Sequence, residues 1–367
     1  MDSLFNKSLT MSTKRVHNFN AGPSILPLEV IEEIRDNFVE FKGMSVLEIS
    51  HRSKEFEAIM DEVKNLVAEL MGVPKNYHIL FLQGGASLQF AMIPMNFMDG
   101  VADYSLTGYW AKKSFAEAKL FGTPHVAFSS EGTNFNRTPK ASEINLADKT
   151  SYLHITTNNT IYGTEYYEFP NTGNVPLIAD MSSDIMSQKI DVEKFSLIYA
   201  GAQKNLGPAG VTLVVIRDDL TIKNIRPVST MLRYSTHIEN NSLYNTPPVF
   251  AVYATMLTLR WLKKNGGVSA IEKLNREKAA LIYNVIDHSS FYKSPVEKDS
   301  RSIMNITFTL PSEELTSDFL KKVAENNMVG LKGHRAIGGI RASIYNAMPK
   351  SSVEALTEFM KNFERSR

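Results

Sequence analysis

Cysteine does not occur among the 367 residues of the sequence. Its absence excludes disulfides, thiolate metal ligands and a cysteine nucleophile. The sequence also has no apolar run of 18 residues, so we expect no membrane-spanning helix. Its eight histidines form neither an HExxH motif nor a pair with three residues between them, and we expect no metal site. The GxGxxG and Walker A motifs are missing, which argues against a nucleotide-binding α/β protein such as an NAD enzyme.

Neither sign of charge is in excess. The 40 basic and 39 acidic side chains leave a formal net charge of +1. That is too little for the broad basic field that would attract nucleic acids or anionic membranes. An anionic small molecule would therefore have to be held by a local group of residues. Residues 1–15 lack the apolar segment of a secretory signal, and we expect them to be a mobile extension of a cytoplasmic protein.

What the sequence does contain is a regular alternation of helix and strand patterns. The segments HILFL (78–82), PLIAD (176–180) and SLIYA (196–200) are apolar at nearly every position, as in strands that are covered on both faces. Residues 54–71 instead repeat their apolar side chains at helical spacing and are followed by Gly72. This alternation predicts an α/β protein with a mostly parallel sheet.

The character of the chain changes after about residue 260, as judged by its turn residues. The segment KKNGG at 263–267 breaks a helical pattern, and the helices and strands that follow would suit a smaller α+β unit. We therefore predict an extension at 1–15, a large domain at 16–262 and a small C-terminal domain at 263–367.

A lysine in a small-residue turn is the sharpest local feature. Lys204 lies in AGAQKNLGPAG (200–210), directly after a predicted strand. Ligands of open α/β sheets bind outside the carboxyl ends of the strands. Burial at that edge would lower the pKa of the lysine and free its amine as a nucleophile for a Schiff base. The alternative is a surface lysine beside a loop.

Two further features could hold parts of a ligand. Asp180 closes a predicted strand, where a carboxylate can pair with a protonated ring nitrogen, bind a metal or cap a helix. The turn Gly84-Gly85-Ala86-Ser87 precedes a predicted helix. Backbone amides at a helix N-terminus, together with a hydroxyl, can bind a phosphate. Most Gly-Gly pairs are only turns, so this signal is weak by itself.

Arginine occurs beside histidine twice. His51-Arg52 and His334-Arg335 lie on distant segments, and Arg341 follows the second pair. Converging arginines could bind a phosphate or a carboxylate with bidentate geometry. Each pair taken alone would more commonly be a solvated surface pair.

Seven segments together resemble one family, and they occur in the family's order over about residues 16–367. The sequence is similar to the phosphoserine aminotransferases, which are class V enzymes that use pyridoxal 5'-phosphate. The resemblance implies the PLP-dependent transferase fold type I, like that of aspartate aminotransferase. The segments are HNFNAGPS (17–24), EISHRSKEF (48–56), GYWAKKS (108–114), IADMSSD (178–184), GAQKNLGPAG (201–210), YNTPP (244–248) and GHRAIGGIRASIYNAMP (333–349).

The resemblance also implies roles for the cofactor-binding residues. Lys204 would form the internal aldimine and later transfer the proton, and Asp180 would pair with the pyridinium nitrogen. Trp110 would stack on the ring, with an ordinary core tryptophan as the alternative. Asn245 and Thr246 would reach the cofactor phosphate from the partner subunit of a homodimer with shared active sites. The remaining contacts would be made by Ala86, Ser87 and Gln203 to the phosphate and by Thr160 to the ring oxygen.

For the substrate, the resemblance implies that Arg341 binds the α-carboxylate. The distal phosphate of phosphoserine, or the distal carboxylate of glutamate, would be bound by His51, Arg52, His334 and Arg335. The implied reaction transfers the amino group of L-glutamate to 3-phosphohydroxypyruvate by ping-pong kinetics, in serine biosynthesis. The same reaction on 4-phosphohydroxythreonine, in pyridoxine biosynthesis, is left open.

The sequence departs from the family pattern in two places. Many members carry arginine or cysteine in the turn where this sequence has Ala86-Ser87, and an acidic residue where it has Asn159. The other interpretations are another class V aminotransferase, a lyase, a nucleotide-binding protein or a silent relative that acts as a scaffold. Desulfurase chemistry is excluded because the sequence has no cysteine.

Overall fold

A computed structural model describes residues 15–221, 225–335 and 337–367. The expected extension at 1–15 therefore lies, except for Arg15, outside the described residues. The α-helices are α1 (Leu28–Val39), α2 (Lys54–Met71), α3 (Gly85–Phe97), α4 (Tyr109–Ala118), α5 (Asp218–Thr221), α6 (Tyr234–Glu239), α7 (Val249–Lys264), α8 (Gly267–Asp287), α9 (Glu313–Glu325) and α10 (Lys350–Arg365).

The strands alternate with these helices along most of the chain. They are β1 (His17–Asn18), β2 (Tyr77–Leu82), β3 (Val101–Leu106), β4 (Thr123–Ser129), β5 (Leu153–Thr156), β6 (Asn158–Asn159), β7 (Thr164–Glu165), β8 (Leu177–Asp180), β9 (Leu197–Gly201), β10 (Thr212–Arg217), β11 (Asn305–Phe308), β12 (Met328–Val329) and β13 (Ile340–Ser343).

Helix α2 shows why the sequence pattern was informative. Ser53 caps its start, because the Ser53 side chain accepts a hydrogen bond from the backbone N–H of Phe56 at 3.3 Å. Gly72 ends the helix in the left-handed conformation, with φ of 67°. The apolar side chains between them, such as Val63 and Val67, are fully buried. The predicted helix at 54–71 is confirmed.

A seven-stranded sheet forms the centre of the molecule, with the order β2-β10-β9-β8-β5-β3-β4. Strand β10 is antiparallel to both of its neighbours, and every other pairing in this sheet is parallel. Helices α2 and α7 pack against one face, and helices α3 and α4 against the other. The α/β class with a mostly parallel sheet is confirmed.

One central strand was not predicted. Strand β3 (Val101–Leu106) has the sequence VADYSL, and its polar residues interrupt the apolar pattern of a buried strand. Asp103 is nevertheless fully buried there. Its carboxylate contacts His125 Nδ1 at 2.6 Å and accepts a hydrogen bond from the backbone N–H of Ala147 at 3.0 Å. These partners compensate the cost of burying the charge.

A second apolar core is formed mainly by residues after position 278. It includes strands β11 and β13, which pair antiparallel, and helices α8 to α10. Phe19 and Ile25 from the start of the chain also pack into this core. The division into domains at 16–262 and 263–367 stays a prediction. In the part of the chain that the structure describes, no helix is long and apolar enough to cross a membrane.

The carboxyl ends of β5, β8 and β9 meet at one edge of the sheet. Thr156, the last residue of β5, is the register partner of Asp180 at the end of β8. Asp180 is in turn the partner of Tyr199 on β9, two residues before Gly201. This is the edge at which ligands bind in open α/β sheets.

Candidate active site

A cavity of about 350 Å³ opens at the carboxyl edge of the sheet. It brings together residues from the two ends of the chain and from five of the predicted segments. Nine of the predicted site residues line it. They are Ala86, Ser87, Trp110, Thr160, Asp180, Gln203, Lys204, His334 and Arg341.

Lys204 lies in the turn after β9, and its amine is held by two hydroxyls. Lys204 Nζ donates to Thr160 Oγ1 at 2.8 Å and to Ser183 Oγ at 2.6 Å, and these two oxygens are themselves 2.6 Å apart. Burial lowers the pKa of Lys204 from 10.5 to about 8, although nearby Asp180 and Asp184 oppose that change. A large part of the amine is therefore neutral near physiological pH.

The segment before α1 fixes the backbone of this turn. Ser24 donates two hydrogen bonds to this turn. Its backbone N–H donates to the Gln203 carbonyl at 2.9 Å, and its hydroxyl donates to the Lys204 carbonyl at 2.6 Å. Gly22 lies against the lysine side chain, since a Cβ at that position would be 3.4 Å from Lys204 Cγ. The N-terminal segment thus forms one wall of the cavity.

Asp180 provides a buried carboxylate, with only 4% of the residue exposed. One of its oxygens accepts hydrogen bonds from the backbone N–H of Ser182 at 2.9 Å and from the Ser182 hydroxyl at 2.6 Å. Burial raises the pKa of Asp180, while these hydrogen bonds and the charge of Lys204 act to lower it. A cationic group in the cavity would favour the ionised carboxylate further.

The start of helix α3 offers backbone N–H groups to the cavity. Gly84 precedes the helix with φ of 84°, and a Cβ there would lie 2.6 Å from Leu88 Cβ, so only glycine fits. Gly85, Ala86 and Ser87 line the cavity in the first turn. The first N–H groups of a helix lack partners within the helix and can bind an anion.

The C-terminal part of the chain contributes two cationic or polar groups. Arg341, on β13, lines the cavity, and its Nε atom is buried without a hydrogen-bond partner among the described residues. Burial lowers the pKa of Arg341, but the guanidinium remains charged. The ring of His334 lies 5.8 Å from that of Tyr109. Burial and the charges of Arg341 and Arg335 lower the pKa of His334.

Five predicted site residues lie outside this cavity within the single chain. His51 and Arg52 are in the loop before α2, and Arg335 is exposed. Asn245 and Thr246 lie beside Gln83, whose Nε2 donates to the Thr246 carbonyl at 2.6 Å. The roles of these five residues stay predictions.

The cavity also contains residues that sequence reasoning missed. Ser183 contacts the lysine amine, and Thr156 lines the cavity with its hydroxyl buried and lacking a partner in the described ranges. Both lie near residues or patterns that the sequence makes visible, since Ser183 follows Asp180 in IADMSSD and Thr156 ends the apolar segment YLHIT (152–156). Asn158, which had no interpretation, donates through Nδ2 to Asn305 Oδ1 at 2.7 Å and so links the cavity to strand β11.

The donor set fits pyridoxal phosphate. An amine with a lowered pKa suits the aldehyde, a buried carboxylate suits the ring nitrogen, and an aromatic side chain at Trp110 suits the ring face. The Thr156 hydroxyl and Arg341 Nε are buried polar atoms without a partner among the described residues, and a bound ligand could supply their hydrogen bonds. In the described part of the chain, no group of three or more histidine or acidic side chains could hold a metal ion.

Comparison with known proteins agrees with this geometry. The class-V aminotransferase family model matches residues 16–356. A phosphoserine aminotransferase of Niallia circulans is 53% identical over 360 residues, covering 97% of this chain and 99% of the relative. The solved phosphoserine aminotransferase of Bacillus circulans subsp. alkalophilus has a TM-score of 0.95 at 53% identity, covering 97% of this chain and 100% of that one.

A more distant structure has the same architecture. The pyridoxal phosphate-bound phosphoserine aminotransferase of Trichomonas vaginalis has a TM-score of 0.91 at 36% identity, covering 95% of this chain and 100% of that one. The fold, the cavity residues and these matches over nearly the whole length agree, and the chain belongs to the class-V aminotransferase family.

Proposed function

We propose that this chain transfers the amino group of L-glutamate to 3-phosphohydroxypyruvate, giving O-phospho-L-serine and 2-oxoglutarate. The observation that carries the proposal is the amine of Lys204, which is held by two hydroxyls and shares a cavity with the buried Asp180 at the carboxyl edge of the sheet. Similarity over 97% of the chain to a phosphoserine aminotransferase supports the substrate assignment. The biological role would be serine biosynthesis.

Lys204 performs both covalent binding and proton transfer in this proposal. Pyridoxal phosphate supplies, when bound, an aldehyde for the lysine and a ring that withdraws electrons from the substrate α-carbon. The lowered pKa of Lys204, about 8, makes its amine a nucleophile near neutral pH. When its amine is free, Lys204 Nζ would remove the proton from the substrate α-carbon and hold it for return. Thr160 and Ser183 hold the free amine between these events.

Asp180 would stabilise a positive charge on the ring nitrogen of the cofactor. Its carboxylate is fixed by the two hydrogen bonds from Ser182, so it cannot rotate freely away from the cavity. Trp110 would cover one ring face, and the first amides of α3, with Ser87 and Gln203, would hold the phosphate group. Thr160 would contact the ring oxygen.

Charged side chains would select the substrate. Arg341 can bind the α-carboxylate through its guanidinium, which lines the cavity and has an unpartnered Nε. His334 lies beside it and would contact the distal phosphate or carboxylate, together with Arg335.

A homodimer would complete the site. Asn245 and Thr246 would reach the cofactor phosphate, and His51 and Arg52 the distal substrate group, from the partner subunit. This arrangement accounts for four predicted site residues that lie away from the cavity of their own chain. We further propose that the enzyme acts in the cytoplasm.

A half-reaction tests the proposal. The chain loaded with pyridoxal phosphate is mixed with O-phospho-L-serine alone, and the loss of the cofactor absorbance is compared with the amount of 3-phosphohydroxypyruvate formed. Stoichiometric product is expected, because a ping-pong enzyme completes half a cycle with one substrate. L-Serine, which lacks the phosphate, should react far more slowly. Equal rates with the two amino acids would contradict the phosphate specificity.

A pair of lysine variants tests the residue assignment. Lys204→Ala should abolish product formation, whereas Lys194→Ala, which removes an exposed lysine, should retain it. Activity that persists in Lys204→Ala would contradict the assignment of Lys204.

A further inference from the structure

The strand register places four polar side chains on one face of the sheet, and two of them, Thr156 and Asp180, line the cavity. On β5, His154 and Thr156 are two residues apart and therefore point to the same face of the sheet. Asp180 on β8 is the register partner of both Thr156 and Tyr199. The side chains of these four residues thus share the face that helices α3 and α4 cover.

Tyr199 lies on β9, beside Asp180 on β8, and its side chain reaches His154 on β5. Its ring is fully buried, and its hydroxyl lies 2.9 Å from His154 Nε2. Asp180 is the register partner of Tyr199 on the adjacent strand, and hydrogen bonding by the Tyr199 side chain acts to lower the pKa of the Asp180 carboxyl. Ser182 contacts only one carboxylate oxygen, so a further donor would help to satisfy the buried charge.

His154 has an environment that fixes its protonation. It is fully buried, with its ring stacked on Tyr104 at 5.2 Å, and burial lowers the pKa of His154 to about 3. The neutral ring carries one proton. Nε2 has two polar neighbours, the Tyr199 hydroxyl and Ser114 Oγ at 3.4 Å. Nδ1 has no hydrogen-bond partner in the part of the chain that the structure describes.

The direction of the hydrogen bonds follows from these partners. A buried N–H without an acceptor costs more than a lone pair without a donor, so the proton belongs on Nε2. Nε2–H then donates to the Tyr199 oxygen, and the single Tyr199 proton remains available to Asp180. Donation by Nε2–H makes the Tyr199 hydroxyl a stronger donor, since successive hydrogen bonds polarise one another.

We propose that Tyr199 and His154 are positioning residues for Asp180, with a hydrogen-bond chain that runs from His154 Nε2–H through the Tyr199 hydroxyl to the carboxylate. The chain holds the carboxylate ionised and oriented towards the cavity. The value of this arrangement for catalysis rests on the proposed function, but the hydrogen-bond chain itself does not. It belongs to the folded protein before substrate binds.

The first test is the tautomer of His154 in the full-length protein. ¹⁵N chemical shifts of labelled histidine, assigned with His154→Gln, distinguish Nε2–H from Nδ1–H. We expect a neutral Nε2–H tautomer throughout pH 5.5 to 8.5, a range chosen on both sides of the ordinary histidine pKa of about 6.5. Tyr199→Phe should shift the Nε2 signal, because its acceptor is lost. An Nδ1–H tautomer, or a ring that protonates in this range, would overturn the proposal.

The second test is the titration of Asp180, followed by ¹³C NMR of labelled aspartate in the full-length protein without cofactor. The charged groups that face Asp180 are Lys204 and Asp184. They are retained in all the variants, and Asp180→Asn assigns the signal. Tyr199→Phe should raise the pKa of Asp180, with an increase in proton affinity of about tenfold for the loss of one hydrogen bond to a charge. His154→Gln should give a smaller increase.

Tyr152→Phe is the matched control. It removes another buried hydroxyl of the same cluster, which contacts Tyr104 OH at 2.6 Å, and should leave the titration of Asp180 unchanged. An unchanged titration in Tyr199→Phe, or an equal change in Tyr152→Phe, would overturn the proposal. If Tyr199→Phe does not fold, the tautomer of His154 in the unmodified chain still tests the proposal, since an Nδ1–H tautomer would overturn it. Neither readout depends on the substrate, so a failed activity assay would refute the proposed function without affecting this test.

Discussion

The lowered pKa of Lys204 predicts a specific pH dependence for the capture of the cofactor. In the cofactor-free protein, only the neutral amine can attack an aldehyde. Burial lowers the pKa of Lys204 from 10.5 to about 8. At pH 7.5, a lysine with the lower pKa would be about one quarter neutral, against roughly one part in a thousand for an ordinary lysine. The structure therefore predicts about 200-fold more reactive amine at that pH.

The assay is the rate of covalent bonding to pyridoxal phosphate, measured by stopped-flow absorbance from pH 6 to 10. Raising the pH removes the proton, so the rate should rise and level off with a midpoint near 8. A rate that is still rising steeply at pH 10, as expected for a lysine with the ordinary pKa of 10.5, would refute the reasoning.

An isosteric variant separates the effect of a neighbouring charge on the pKa of Lys204 from the effect of burial. Asp184 raises the pKa of Lys204 through its negative charge. Asp184→Asn removes that charge. The asparagine side-chain oxygen can still accept the hydrogen bond that the Thr157 hydroxyl donates to Asp184 Oδ1 at 2.7 Å. The midpoint should move to lower pH. Asp103→Asn, at a fully buried carboxylate that pairs with His125, is the control and should leave the midpoint unchanged.

Three further predictions concern packing and recognition. Gly84→Ala should destabilise the fold by about 1–3 kcal/mol in thermal unfolding and weaken cofactor binding, because Gly84 has a positive φ and the added Cβ meets Leu88. The control is Gly100→Ala, at a positive φ with open space around it, which should lower stability without weakening cofactor binding. Arg341→Lys should raise the KM for phosphoserine by at least about tenfold, since lysine cannot form the bidentate contact; an unchanged KM in steady-state kinetics would contradict this role. Asn158→Ala should cost about 1–3 kcal/mol in chemical unfolding, because Asn305 Oδ1 loses its buried donor.

Much of the fold could be predicted because its elements carry strong local signals. Helix α2 has a capping serine, a regular apolar face and a terminal glycine, and its predicted bounds agree with the structure. Strand β3 was missed because its burial depends on Asp103, whose partners His125 and Ala147 come from other parts of the chain. No local pattern reveals such a long-range compensation.

The residues of the candidate site were likewise predicted where the sequence has a local signal and missed where it has none. Lys204 and Asp180 were predicted from their places at strand ends, and the strand order brings both to one cavity. Ser183 was missed because nothing in the sequence indicates that its hydroxyl, and not that of Ser182, contacts the lysine amine. The role proposed for residues such as Asn245 would require a second chain, and within their own chain these residues lie outside the cavity.

The most direct test of the account is the identity of the lysine that bonds to the cofactor. The full-length protein is loaded with pyridoxal phosphate, reduced with borohydride, digested and mapped by mass spectrometry. Lys278 is an internal control, because burial lowers its pKa to about 7, yet its amine donates to the carbonyls of Ile344, Tyr345 and Met348 at 2.8–3.2 Å. The account predicts the reduced cofactor on Lys204 and none on Lys278. A label on Lys278 or another lysine, with Lys204 unmodified, would contradict it.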